Sequence, residues 1–276
     1  MRASSLIDRP ARRTWLAGAL ALLAGCASAP PVPAPAPADV RQALAPAGTL
    51  RIAVYAGSPT SMVENVPDAE RRGLTVDIGR EMARRLGVPA TIQVYPRVAE
   101  VVAALQRGEA DVTITNASAE RQKLLDFAPP LVALELGVLV PAGSPVSSVD
   151  TIDRAGARIG VSQGSSSERS LGARLRQARL LPQPSLPHAA QALRQRELDA
   201  FATNKAVLFE LVGNVPGARV LDGHWGLEHL ALGTGKGRDA ALPWLSRFNT
   251  AMAAEGYLAR ASERAGLRGT AAAETP

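Results

Sequence analysis

Aromatic side chains make up only 4% of the 276 residues, cysteine occurs once, and Lys123, Lys205 and Lys236 are the only lysines among 31 basic residues. A single cysteine, Cys26, excludes an intrachain disulfide, a zinc finger and CxxC redox chemistry. No basic run is interleaved with aromatics, so a nucleic-acid partner is not expected. The net charge of +6 does not change this, because Arg2, Arg9, Arg12 and Arg13 against Asp8 place half of it before Cys26. His188, His224 and His229 show neither HExxH nor any other ligand spacing, and neither a metal nor a cofactor is expected. What is present is globular: 46% hydrophobic and 20% charged residues suit one large domain or two ordinary ones.

The N-terminal segment reads as an export signal. Residues 2–13 are basic, Trp15 to Gly25 is apolar but far short of the roughly 20 residues that span a bilayer, and Leu23-Ala24-Gly25-Cys26 follows. Leu-Ala-Gly-Cys resembles the lipobox of bacterial lipoproteins, which implies a signal peptide over 1–26 and lipid attachment at Cys26. Ala27, where that family's inner-membrane retention signal is Asp, points to the outer membrane. Arg12-Arg13 leaves twin-arginine export open beside a plain signal. Alternating Pro and small residues predict an extended tether over 27–48, with a short helical turn from Asp39 to Leu44. The small, polar end, 269–276, is expected to be a disordered tail.

Between these ends, apolar periodicity predicts alternating strands and helices. Leu50 to Tyr55 reads as a strand; Ile78, Met82 and Leu86 mark a helix capped by Asp77 and closed by Gly87. Thr91 to Tyr95 is a strand, Val98 to Leu105 a helix ended by Gly108, and Asp111 to Thr115 a third strand. After an extended run, Leu134 to Val140, a second series follows: strand Arg158 to Val161, helix Ser167 to Gln177, helix His188 to Arg196, strand Asp199 to Ala202, helix Lys205 to Val212 and strand Arg219 to Leu221. A run at Leu230 to Leu232 and helices around Leu242 to Met252 and Tyr257 to Ala265 complete the chain. Two small parallel α/β units are implied, with the last helices returning to the first. The expected boundaries are 49–133 plus 234–268 for one lobe and 137–229 for the other, with a ligand cleft between them.

Five segments then match a known pattern in order: Gly73-Leu74-Thr75-Val76-Asp77-Ile78, Ala104 to Asp111, Glu120-Arg121 through Leu125 to Pro130, Gly160 to Ser166, and Glu197 to Ala200. They resemble family 3 extracellular solute-binding proteins, the periplasmic receptors of amino-acid ABC importers. The resemblance implies an α/β, two-lobe periplasmic-binding-protein fold of type II. It further implies a monomer, non-enzymatic, that carries a small-molecule solute to an ABC permease and ATPase complex, anchored to the membrane by lipid on the periplasmic side. Arg121 matches the carboxylate-binding arginine, a role its planar fork suits because it offers two parallel charge-assisted hydrogen bonds. Ser165 and Ser166 match the Gly-Thr-Thr donors at a helix start, and Asn116 and Ser118 can donate from the first lobe. Asn204 stands where the family's ammonium-binding acid is found, and Ser58 and Val98 stand where its aromatic clamp is found. The expected solute is therefore small, polar and carboxylate-bearing or amino-acid-like, with Asn204 arguing against a standard α-amino acid; Tyr55 or Tyr95 can substitute for the clamp.

Other readings compete. The same family includes a periplasmic cyclohexadienyl dehydratase, for which Glu120 and Glu135 are the candidate carboxylates. Gly160-Val161-Ser162-Gln163-Gly164 fits G-x-S-x-G, and Ser162, then Asp199 or Asp222, then His224 or His229 follow the order of an α/β-hydrolase. His188 is expected in the first turn of its helix and the other two histidines on a loop. Gly233 to Gly237 lacks the spacing of a phosphate loop and reads as a turn.

Overall fold

The computed structural model describes residues 36–63, 67 and 70–271, so the export signal and Cys26 lie outside the described residues. The chain enters through α1 (Ala38–Leu44), whose Val40 and Leu44, four residues apart, are buried. Ala36 and Ala45 are buried with them, so the core already holds the chain from residue 36 onward, and more than half of the expected tether over 27–48 belongs to the packed body.

The first parallel unit is β1 (Leu50–Tyr55), α2 (Leu74–Leu86), β2 (Ala90–Tyr95), α3 (Val98–Gln106), β3 (Val112–Asn116) and the short α4 (Ala119–Gln122). In α2 the expected stripe of Ile78, Met82 and Leu86 is buried, and Gly87 closes it in the left-handed region at φ 69°. Its start differs from expectation. Gly73, at φ 151°, is the cap, and Asp77 sits inside the first turn, where its charge faces the helix dipole. Gly73 is required there, because a Cβ would lie 2.2 Å from the Ser61 carbonyl oxygen.

The second unit runs β5 (Arg158–Ser162), α5 (Ser166–Arg174), β6 (Arg179–Gln183), α6 (Leu186–Arg194), β7 (Ala200–Asn204), α7 (Lys205–Val212) and β8 (Arg219–Val220). β6 has no counterpart in the sequence reading. It carries Pro182 and lies at the sheet edge, where proline removes no ladder bond. The unit reproduces the first in its side chains as well. Asp111 Oδ2 accepts the Arg51 backbone N–H and Nε, both at 2.9 Å, while its Oδ1 accepts Nη2 at 2.7 Å. Asp199 holds Arg158 in the same three-bond clamp, at 2.8, 3.1 and 2.8 Å. Each aspartate ties the entry of its own strand to the first strand of its unit.

The units are joined by β4 (Leu125–Val140) and β9 (Gly226–Gly235), which pair antiparallel from Leu125 with Gly235 to Leu136 with Gly226. One hydrogen-bonded ladder, β2-β1-β3-β9-β4-β7-β5-β6, therefore runs through the molecule where two separate sheets were expected. Two extended crossings lying side by side satisfy each other's backbone groups, which neither could do alone. The buried side chains nonetheless stay divided. Among the described residues, two clusters draw on 36–134 and 230–261, joined by Ala206, and two draw on 138–221. α8 (Leu242–Ala254) and α9 (Tyr257–Arg264) pack into the first set, as the periodicity implied.

Residues 269–271, expected within the disordered tail over 269–276, are held against β4. Glu135 N–H donates to the Gly269 carbonyl and Ala271 N–H to that of Ala133, both at 2.9 Å, and Thr270 bridges Leu134. This stretch of β4 has β9 on one side only, and residues 269–271 cover the edge that would otherwise be unpaired. His229, expected on a loop, and Gly233 to Gly235, expected in a turn, are both within β9, with the turn confined to Lys236-Gly237.

The two aspartate clamps predict unequal losses. Asp111 is fully buried and also accepts from Arg238, whereas the Arg158 side chain paired with Asp199 is 37% exposed and screened by water. Asp111→Asn should lower the urea-unfolding free energy by about 3 kcal/mol and Asp199→Asn by about 1 kcal/mol. Equal losses would show that burial does not set the strength of the clamp.

Candidate binding cleft

The carboxyl ends of β1, β3, β5, β6 and β7 converge on one cavity, and the N-termini of α3, α5, α6 and α7 open onto it. Backbone N–H groups and positive dipole ends at such helix starts favour an anionic group. The walls combine a few apolar side chains, among them Val98, Leu186 and Leu230, with hydroxyls of Thr115, Ser162 and Ser166.

Arg121 projects from α4, a helix of one turn whose Ser118 cap accepts the Arg121 backbone N–H at 3.4 Å. The residue is 3% exposed. Its Nη1 donates to Thr115 Oγ1 at 2.6 Å and weakly to the Asn116 carbonyl at 3.5 Å. It enters none of the ion pairs formed among the described residues. Burial draws its pKa below the usual arginine value, against the opposing pull of Glu228.

Glu228, on β9, is the second buried charge of the cavity, 7% exposed. Its Oε2 accepts from Asn204 Nδ2 at 3.1 Å, while Asn204 Oδ1 accepts the Val207 N–H and so caps α7. Burial raises the Glu228 carboxyl above its ordinary range, and Arg121 and the Asn204 amide oppose the shift. Glu228 is not among the residues that the sequence motifs single out. The signal was the alternation of Glu228, Leu230 and Leu232 on one face of a strand, hidden because the strand was taken to begin at Leu230. The cavity is thus not without a carboxylate, as Asn204 alone suggested.

The other expected residues divide. Arg121, Ser165, Ser166 and Asn204 line the cavity, with Ser165 Oγ also accepting the Glu168 N–H as the cap of α5. Ser118 and Asn116 support Arg121 from behind rather than lining the cavity. Ser58 is fully buried, accepting from the Tyr55 hydroxyl at 3.2 Å and sharing a 2.8 Å hydrogen bond with Thr60 Oγ1. It therefore orients Tyr55, which does line the cavity, while Tyr95 turns its hydroxyl to Gln93. Glu120 is exposed on α4, and Glu135 is paired with Lys205 at 2.5 Å; neither lines the cavity. Ser162 lines it, but no hydrogen bond joins Ser162 to a histidine among the described residues, and Asp199 is occupied by Arg158. His188 is in the first turn of α6, as expected, against Gln183 at 2.8 Å.

A buried carboxylate without a cation in contact makes the empty protein less stable than it could be. Because the folded-state pKa of Glu228 is raised, its ionisation opposes folding once pH rises past the unfolded value near about 4.3, and the penalty vanishes below it. Glu228→Gln should therefore raise the melting temperature of the empty protein at about pH 8, with the gain shrinking as pH falls toward about 4. A gain independent of pH would assign the effect to packing.

Comparison with known proteins bears on family and fold. The model of bacterial extracellular solute-binding proteins, family 3, matches residues 50–267. The glutamine-binding protein GlnH of a Bacillus subtilis ABC transporter is 25% identical over 151 residues, so that 53% of this chain spans about half, 55%, of that relative. A substrate-binding protein of an amino-acid ABC transporter superposes with a TM-score of 0.70 at 21% identity, covering 79% of this chain and 98% of the other. A Wolinella succinogenes ABC-transporter binding component, complexed with lysine, gives 0.69 at 21% identity over 79% and 95%. The ancestral amino-acid-binding protein AncCDT-1, a precursor of cyclohexadienyl dehydratase, gives 0.69 at 22% identity over 79% and 96%. With every element from β1 to α9 inside the family model, the chain belongs to the family 3 bacterial extracellular solute-binding proteins and has their two-lobe, type II periplasmic-binding-protein fold.

Proposed function

We propose that the protein is the extracytoplasmic solute-binding receptor of an ABC importer, without catalytic activity of its own, and that it holds a small carboxylate-bearing solute in the cleft. The observation that carries this is Arg121: a guanidinium 3% exposed, in a cavity lined from both halves of the chain, with only neutral protein partners. A ligand carboxylate would give it the two parallel charge-assisted bonds that Thr115 and the Asn116 carbonyl do not. Ser165 and Ser166 add donors from the opposite side.

The lobes are 49–133 plus 234–268 and 137–229, with the paired crossings as hinge. Their separate hydrophobic clusters support this division; between the lobes, Arg97 Nη1 donates to the Pro184 carbonyl at 3.4 Å, and a Cβ on Gly164 would lie 2.5 Å from that of Ala99. Rigid lobes closing on a few linker residues are the usual response of such a cleft to its ligand. Family membership and the relatives' transporter descriptions support delivery to a permease and ATPase complex. The lipobox-like Leu23 to Cys26 supports attachment by lipid at Cys26 on the periplasmic side, with the protein acting as a monomer.

Two outcomes test this reading. Calorimetry on the solute found by a thermal-shift screen of amino acids and organic acids should show Arg121→Ala binding about 30-fold more weakly or worse, as loss of a bidentate charged contact requires; unchanged affinity would remove Arg121 from the site. Cys26→Ala should move the protein from the membrane fraction to the soluble fraction on cell fractionation, and equal membrane retention would refute the anchor.

A further inference from the structure

The cleft buries two opposite charges and keeps them from satisfying each other. Arg121 is held by the Thr115 hydroxyl, Glu228 by the Asn204 amide, and no ion pair joins the two. An ionised carboxylate has about four acceptor positions, and Glu228 uses one of them for a side chain among the described residues. Asn204 cannot turn to offer its own oxygen instead, because capping α7 fixes that oxygen on the Val207 N–H and leaves the NH2 to face Glu228. Were Glu228 only a counter-charge for Arg121, direct pairing would recover more of the solvation lost on burial than two neutral partners do. Held apart in one cavity, the two groups are complementary to a molecule carrying both charges.

Resting on the receptor reading above, we infer that Glu228 is the ammonium anchor of the cleft, so that Arg121 and Glu228 take the carboxylate and the α-ammonium of an amino acid, with Asn204 as the positioning residue for Glu228. The negative charge that Asn204 lacks is thus supplied from β9, on the crossing between the lobes, instead of from the end of β7. The raised Glu228 pKa fits a carboxylate that waits for a cation.

The test is calorimetry on the full chain with two matched panels: standard L-amino acids, and the 2-hydroxy acids in which a hydroxyl replaces the ammonium, such as lactate, malate and 2-hydroxyglutarate. The wild type should bind at least one amino acid about 30-fold or more tightly than its hydroxy acid, since a charged partner left unpaired is heavily penalised. Glu228→Gln keeps an acceptor for Asn204 and should abolish that preference; circular dichroism confirms its fold. Asn204→Ala should weaken amino-acid binding but retain part of the preference, because Glu228 remains. A hydroxy acid that binds as tightly as its amino acid, or a Glu228→Gln variant that keeps the full preference, overturns the inference and leaves the receptor reading standing. Binding by neither panel defeats both.

Discussion

A guanidinium removed from water and left without a counter-ion is the constraint around which the cleft is organised. Desolvation of Arg121 opposes its charge, and the protein answers with a hydroxyl, a distant carbonyl and the field of Glu228 rather than with contact to a carboxylate. Such an arrangement costs stability, and on the proposed reading it would return affinity for an anion, because the donors are already fixed in place. Ser118 serves that end: as the cap of α4 it sets the turn from which Arg121 projects.

Around this point the scaffold does two separate jobs. Rigidity within each half comes from the aspartate clamps, where Asp111 and Asp199 lock the first strand of their unit through backbone and guanidinium together. Connection between halves comes from β4 and β9, whose long antiparallel pairing sets Glu228 opposite Leu134, where the chain passes from one half to the other. The Gly164 and Ala99 contact shows how closely the halves approach over the cavity.

Much of this was legible in the residues. Four-residue apolar spacing located α2, and the repeated strand and helix signals gave two parallel units; position at the carboxyl end of β3 singled out Arg121. What escaped had physical reasons. β6 carries a proline that only an edge tolerates, and the bridge that residues 269–271 make to β4 forms only because β4 leaves an edge uncovered. Asp77 has the right residue type for a cap, but the close approach of Gly73 to Ser61 moves the helix start upstream. The alternation that places Glu228 on the buried face of β9 is local, but its meeting with Asn204, 24 residues away in the chain, comes only from the strand pairing.

The most direct test of this account is a crystal structure of the protein with the solute that co-purifies with it or that the calorimetric screen identifies. The account predicts a carboxylate lying against Arg121 through two parallel N–H···O bonds, with the ammonium against Glu228 and both lobes in contact with the ligand. A bound solute that leaves Arg121 without a carboxylate, or that draws Arg121 and Glu228 into a direct ion pair with each other, would contradict it.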